Sequence, residues 1–81
     1  MAKLVVLSAT WCGPCRSLKS KLRDAGISFR TIDVDTDSGE RLARKIGVAS
    51  IPAVFVDNGE RLVRVTGGTV GEIRAALRRH A

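Results

Sequence analysis

Residues 4–7 read Leu-Val-Val-Leu with no polar residue among them, and this run constrains the fold more than any other feature of the chain. A strand with one face in water alternates apolar and polar residues. A strand that is apolar throughout fits where both of its faces are covered. The chain has 81 residues, enough for one core and little more. The expected architecture is a single domain, residues 1–81, in which later elements cover both sides of a strand at Lys3–Ser8.

Those elements are legible. From Gly13 to about Ala25, Leu18, Leu22 and Ala25 recur at helical spacing between Lys19, Lys21 and Arg23, and Gly26 closes the helix. Ile27 to Val34 reads as a second strand, with Phe29, Ile32 and Val34 as candidates for burial. Asp37-Ser-Gly-Glu40 has the spacing of a capping box and opens a helix with Leu42 and Ile46 facing inward, ended by Gly47. Pro52 lacks an N–H to donate to a ladder, so it precedes the strand Ala53–Val56. Asn58-Gly59 signals a tight hairpin into Arg61–Thr66, which Gly67 and Gly68 interrupt. Thr69-Val-Gly-Glu72 is a second capping box, opening a helix with Ile73, Ala76 and Leu77 inside. The order is βαβαββα. A helical crossover makes its two strands parallel and the hairpin makes the last two antiparallel. The fold class is therefore α/β, a four-stranded mixed sheet with helices on both faces.

Composition narrows the function classes. The formal charge is +6, but basic residues are scattered from Lys3 to Arg79 and only three aromatics are available to stack on bases. Charge alone supports non-specific attraction, so no specific nucleic-acid binding is expected. The apolar run at Leu4–Leu7 is too short for a signal peptide or a membrane span. A soluble, cytoplasmic protein with no membrane partner is the expectation, and a reducing compartment disfavours a persistent structural disulfide.

The chemistry is concentrated in Trp11-Cys12-Gly13-Pro14-Cys15, which holds both cysteines of the chain. A structural zinc site takes about four sulfur or nitrogen ligands. Cys12, Cys15 and the near-terminal His80 do not supply them within one chain, although a site shared between two chains would leave no trace in the sequence. As a staple, a bridge across so short a loop contributes only about 2 kcal/mol by loop entropy. Redox cycling fits better. A strand that runs directly into a helix leaves Cys12 at the helix N-terminus, where free N–H groups and the dipole favour a thiolate. Cys15, three residues on, lies on the same face and can attack a mixed disulfide formed at Cys12. Gly13 permits close approach of a partner backbone, and Pro14 is tolerated in a first helical turn.

WCGPC at Trp11–Cys15, together with Ile51-Pro52, Asn58-Gly59, Gly67-Gly68 and the final helix, resembles the thioredoxin family over almost the whole chain. The resemblance implies a thioredoxin-like fold and a protein-disulfide reductase that acts as an electron carrier. Cys12 is then the attacking thiol and Cys15 the resolving one. Trp11, Gly13, Pro14, Ile51, Pro52 and Gly67 form the substrate-binding surface. Pro52 is expected to be cis and to face the cysteines, while the Ile51 backbone pairs with an extended substrate. An ordinary core tryptophan is the lesser alternative for Trp11, whereas Arg16, where thioredoxins usually have lysine, reads equally as a solvated charge or as an aid to the electrostatics. The implied partners are disulfide-containing target proteins and a thioredoxin-reductase-type flavoprotein. A monomer with no cofactor and no metal is expected.

Two departures stand out. By the resemblance, the chain begins at the first core strand, so the extra N-terminal strand and helix of full thioredoxins are absent and the length is that of a glutaredoxin. Thioredoxins also usually carry a buried aspartate and lysine where this chain has Val6 and Thr31. Losing both together avoids a lone buried charge. Asp33 is the nearest conceivable substitute, although its position suits solvent or a helix end better.

A glutathione-dependent, glutaredoxin-type reductase is the alternative within this chemistry. Glutaredoxins tend to have an aromatic residue after the motif proline, Thr-Val before the later proline, and an acidic residue soon after the paired glycines. This chain has Gly13-Pro14, Ser50-Ile51 and Thr69-Val70. Those residues point to a protein reductase; the length and Gly67-Gly68 lean the other way. A non-catalytic thioredoxin-like binding module is the third reading, but it would not require a second thiol. The ligand count makes one expectation immediate. After dialysis the purified reduced protein should hold no stoichiometric zinc by elemental analysis, and one zinc per chain would point to a site shared between chains.

Overall fold

The computed structural model describes residues 2–80. Seven elements follow in the expected order: β1 (Lys3–Ser8), α1 (Gly13–Asp24), β2 (Phe29–Asp33), α2 (Asp37–Lys45), β3 (Ala53–Asp57), β4 (Leu62–Arg64) and α3 (Val70–Arg79). The strands form one sheet in the order β2-β1-β3-β4. β1 and β2 are parallel, while β1–β3 and β3–β4 are antiparallel. Among the described residues, no helix is long and apolar enough to cross a membrane.

β1 lies inside the sheet, and Leu4 to Ser8 are buried without interruption. Its side chains alternate between two cores. Leu4 and Val6 pack with Leu18 and Leu22 of α1 and with Ile73 and Ala76 of α3. Val5 and Leu7 pack with Ala43 of α2 on the opposite face, where Ile32, Val34 and Ile46 close the cluster. β3 divides in the same way, with Val54 and Val56 in the first core and Ala53 and Phe55 in the second. Each fully buried aliphatic side chain of this kind stabilises the fold by about 1.5–3 kcal/mol before entropic costs. Two helices on one face and one on the other follow from that alternation.

Several boundaries moved, each because a backbone group was already engaged. β2 starts at Phe29, since the Ile27 N–H donates to Leu22 O at 2.9 Å to close α1 around Gly26, whose φ is +72°. The hairpin loop has four residues, because Asp57 pairs with Leu62. A two-residue Asn-Gly turn needs positive φ at both central positions, and here only Gly59 has it. Asn58 Oδ1 instead accepts from the N–H groups of Glu60 and Arg61, which holds Arg61 out of β4. The second capping box forms as read, with Thr69 and Glu72 bonded reciprocally at the start of α3.

The first capping box does not form. The N-cap of α2 is Thr36, whose Oγ1 accepts from the Gly39 N–H at 3.0 Å and donates to Asp33 O at 2.8 Å. Glu40 pairs with Arg44 along the exposed face. The inward face is also different from expectation: Gly39 and Ala43 are buried, whereas Leu42 is only half-buried. α2 approaches the end of β2 so closely that a Cβ at Gly39 would overlap the Asp33 carbonyl. Small residues four apart make that approach possible. Gly39→Ala should therefore destabilise the protein by about 1–3 kcal/mol. Gly71→Ala, in α3 with open space around the added methyl, should be neutral or stabilise it by up to about 1 kcal/mol. Paired urea titrations measure both, and equal midpoints for the two variants would contradict the close approach.

Candidate active site

β1 ends at Ser8, and the short link Ala9–Trp11 leads straight into α1. The Cys12 N–H donates to Ala9 O at 3.2 Å, which tightens the link and places Cys12 as the N-cap of α1. A helix N-terminus leaves several N–H groups without partners. Here the Cys15 N–H donates to Cys12 Sγ at 3.2 Å, so a sulfur takes the place that a serine or aspartate oxygen usually fills. Pro14 sits in the first turn, where its missing N–H removes no helical bond. Gly13 is exposed with nothing close to its Cβ position.

Cys12 and Cys15 are joined as a disulfide, with Cα atoms 5.2 Å apart. Cys12 retains 4% exposure and Cys15 none. The pair packs with Ala9, and Val34 and Ile51 lie against this small cluster. The Ile51–Pro52 peptide is cis, as expected. Ile51 borders a groove of about 230 Å³ shared with Trp11, Val34, Val48, Ala49 and Ser50. Pro52 borders a second groove, of about 480 Å³, with Leu18, Val54, Thr66, Gly67 and Gly68. The Ile51–Pro52 turn thus lies between two concavities beside the disulfide. Gly67 also has a structural reason of its own. Its φ is +94°, and a side chain there would collide with the Glu72 carboxylate that caps α3.

Trp11 is not a core residue. It is 68% exposed, and its indole N–H donates to Asp35 Oδ2 at 2.7 Å. Asp35 went unnoticed in the sequence because it lies 24 residues away. The signal was there in the strand register: Ser8 pairs with Asp33, and the Val34 N–H continues to Ser8 O, so Asp35 emerges beside the Trp11 link. Arg16 is exposed and donates to Thr10 O at 2.8 Å, which ties the same link to α1.

Val6 and Thr31 are register partners, so the two missing charges would indeed have been neighbours. Val6 is fully buried against α1 and α3, and Thr31 is exposed. Asp33 does not replace the lost acid, because its Oδ1 accepts from the Asp35 N–H at 2.9 Å and serves the turn before α2. Two further polar residues escaped the sequence reading. Ser8 is 1% exposed, and the Lys19 ammonium donates to its Oγ at 3.2 Å. Among the described residues, no cluster of three or more His, Cys, Asp or Glu side chains converges on a point.

Comparison with known proteins agrees with this geometry. The sequence pattern of the glutaredoxin family, described as "Glutaredoxin", matches residues 4–62, which span β1 to the start of β4. Thioredoxin from Malassezia sympodialis is 33% identical over 98% of this chain and 83% of its own length. Thioredoxin-1 from Schizosaccharomyces pombe is 32% identical over 94% of this chain and 80% of its own length. In three dimensions, Fasciola hepatica thioredoxin superposes with a TM-score of 0.76 at 28% identity, covering 99% of this chain and 81% of that one. The glutaredoxin match stops at the start of β4, whereas the Malassezia sympodialis and Fasciola hepatica matches cover nearly the whole chain. With a disulfide-forming Cys-Gly-Pro-Cys pair at the head of α1, a cis proline turn beside it and thioredoxin relatives along nearly its whole length, the chain belongs to the thioredoxin family of dithiol–disulfide oxidoreductases.

Proposed function

We propose that the protein reduces disulfides of target proteins, with Cys12 as the attacking thiol and Cys15 as the resolving thiol. One observation carries the assignment: Cys12 Sγ is the N-cap acceptor of α1, taking the Cys15 N–H at 3.2 Å. A thiolate at that atom gains a charge-assisted hydrogen bond and the positive end of the helix dipole. Cys12 is also the cysteine with residual exposure.

In this reading the Cys12 thiolate attacks one sulfur of a target disulfide. A mixed disulfide forms and the other target sulfur leaves as a thiolate. Cys15 then loses its proton to water or to that departing thiolate and attacks Cys12 Sγ. The target's second sulfur is expelled, the target has gained two electrons and two protons, and the protein holds the Cys12–Cys15 disulfide. Trp11 and Ile51 offer an apolar wall for the target's extended segment on one side, with Pro52 and Gly67 on the other. Gly13 leaves room above the sulfurs for the target backbone, and Pro14 keeps the first turn of α1 rigid.

The oxidised protein is recharged by a thioredoxin-reductase-type flavoprotein, in a reducing cytoplasm, and acts as a monomeric single domain. Gly13-Pro14 and Ser50-Ile51 favour a protein reductase. A glutathione-linked cycle is the second reading, favoured by the glutaredoxin pattern over residues 4–62. An insulin-reduction assay driven first by a thioredoxin reductase and then by glutathione separates them; turnover with glutathione alone would reverse the preference.

Cys12→Ser should abolish disulfide reduction, whereas Cys15→Ser should accumulate a covalent adduct with target protein. Mass spectrometry that finds the adduct through Cys15 in the Cys12 variant would exchange the two roles. Trp11 is the sole tryptophan and adjoins Cys12, so its emission should change when the pair is reduced. Asp35→Ala removes the acceptor of its indole N–H and should lower the fluorescence anisotropy; an unchanged value would mean that this bond does not restrain the ring.

A further inference from the structure

Lys19 lies in α1 one helical turn beyond Cys15, and the mechanism above leaves it without a role. Residues four apart on a helix share a face, with Cβ atoms about 5–6 Å apart. Helical side chains lean toward the N-terminus, so the Lys19 stem runs back toward Cys15. Its part-buried ammonium is fixed there by the Ser8 hydroxyl, at 3.2 Å. Ser8 ends β1 just before the link to Cys12, and among the described residues it is the one buried polar side chain. Among those residues the single ion pair is Arg44–Glu40, so no carboxylate within 4 Å neutralises Lys19.

We propose that Lys19, anchored on Ser8, is the fixed positive charge that tunes the Cys12–Cys15 pair, in a site whose Val6 and Thr31 supply no buried charges. Lys19 is a positioning residue that acts through its field, and the inference rests on the reading of Cys12 as the attacking thiol. A cation on this face favours thiolate over thiol. It therefore stabilises the reduced pair and raises its reduction potential. The other charged groups around the pair are more exposed or serve the turns beside it. Arg16 of α1 keeps its charge as it donates to Thr10 O but is exposed, so solvent screens it, while Asp33 accepts from the Asp35 N–H and Asp35 from Trp11. Arg64 of β4 places its guanidinium over the Phe55 ring, and β1 and β3 place no charge at this end of the sheet. Partial burial weakens screening of Lys19 relative to a surface charge.

The test is the pH profile of iodoacetamide alkylation, resolved by cysteine, in the reduced wild type and in Lys19→Met and Lys19→Arg. Methionine keeps much of the apolar stem but removes the charge. The Cys12 midpoint should rise by about half to one pH unit in Lys19→Met. Alkylation well below that midpoint should slow by about three- to tenfold, and Lys19→Arg should restore both. The potential of Lys19→Met, measured in redox buffers, should be more negative than that of the wild type. A Cys12 profile that superimposes on the wild type overturns the proposal, as does failure of Lys19→Arg to restore it, which would assign the effect to packing. Wild-type alkylation at Cys15 in preference to Cys12 would instead overturn the assignment of the attacking thiol. If Lys19→Met does not fold, Lys19→Gln carries the same comparison.

Discussion

The two-sided burial of β1 is the constraint on which the rest of the structure depends. Leu4 to Leu7 are each at most 1% exposed, and they feed two separate cores. A strand in that position needs hydrogen-bonding neighbours along both edges and helices on both faces. β2 and β3 supply the edges, α1 and α3 one face, and α2 the other. Both cores of this 81-residue chain rest on that one strand. The strand's C-terminal end is consequently covered on both faces, and it is there that Ser8 and Ala9 hand over to the cysteines.

From that point the site is assembled by groups that would otherwise lack partners. Cys12 caps α1 because only four residues separate the end of β1 from the helix, and its sulfur meets the Cys15 N–H. The opening of β3 brings in Ile51, which packs on the cysteine cluster, with its cis bond to Pro52. The turn after β2 brings in Val34, on the same cluster, and Asp35, on the Trp11 indole. Three segments far apart in sequence thus meet around one disulfide. A reaction that exchanges sulfur partners needs such a frame, since each step requires the attacking sulfur to approach a disulfide that is already held.

Where patterns are local, the residues spelled out the fold. The Thr69/Glu72 box, the Gly26 stop and the apolar alternation of β1 and β3 depend on neighbours within a turn or a strand pair. Where two local signals competed, a distant contact chose between them. Asp37 and Thr36 are both good caps for α2. Thr36 prevails because its hydroxyl also reaches the Asp33 carbonyl at the end of β2. Leu42 lost the inward position to Gly39 and Ala43 for a similar reason, because only small residues permit α2 to come so near that strand.

The sequence by itself determined the order of elements, the parallel pairing of the first two strands, the cysteine pair and its place at a helix N-terminus. Each follows from hydrophobic period, capping chemistry or spacing within a few residues. Only the tertiary structure decided that Trp11 stands in solvent on Asp35, that Lys19 binds Ser8, and that two grooves flank Ile51–Pro52. These contacts depend on strand register and helix depth, which arise from packing the whole core at once. The Ser8–Asp33 register alone carries Asp35 to a tryptophan 24 residues earlier in the chain, a distance across which no local pattern in the residues extends.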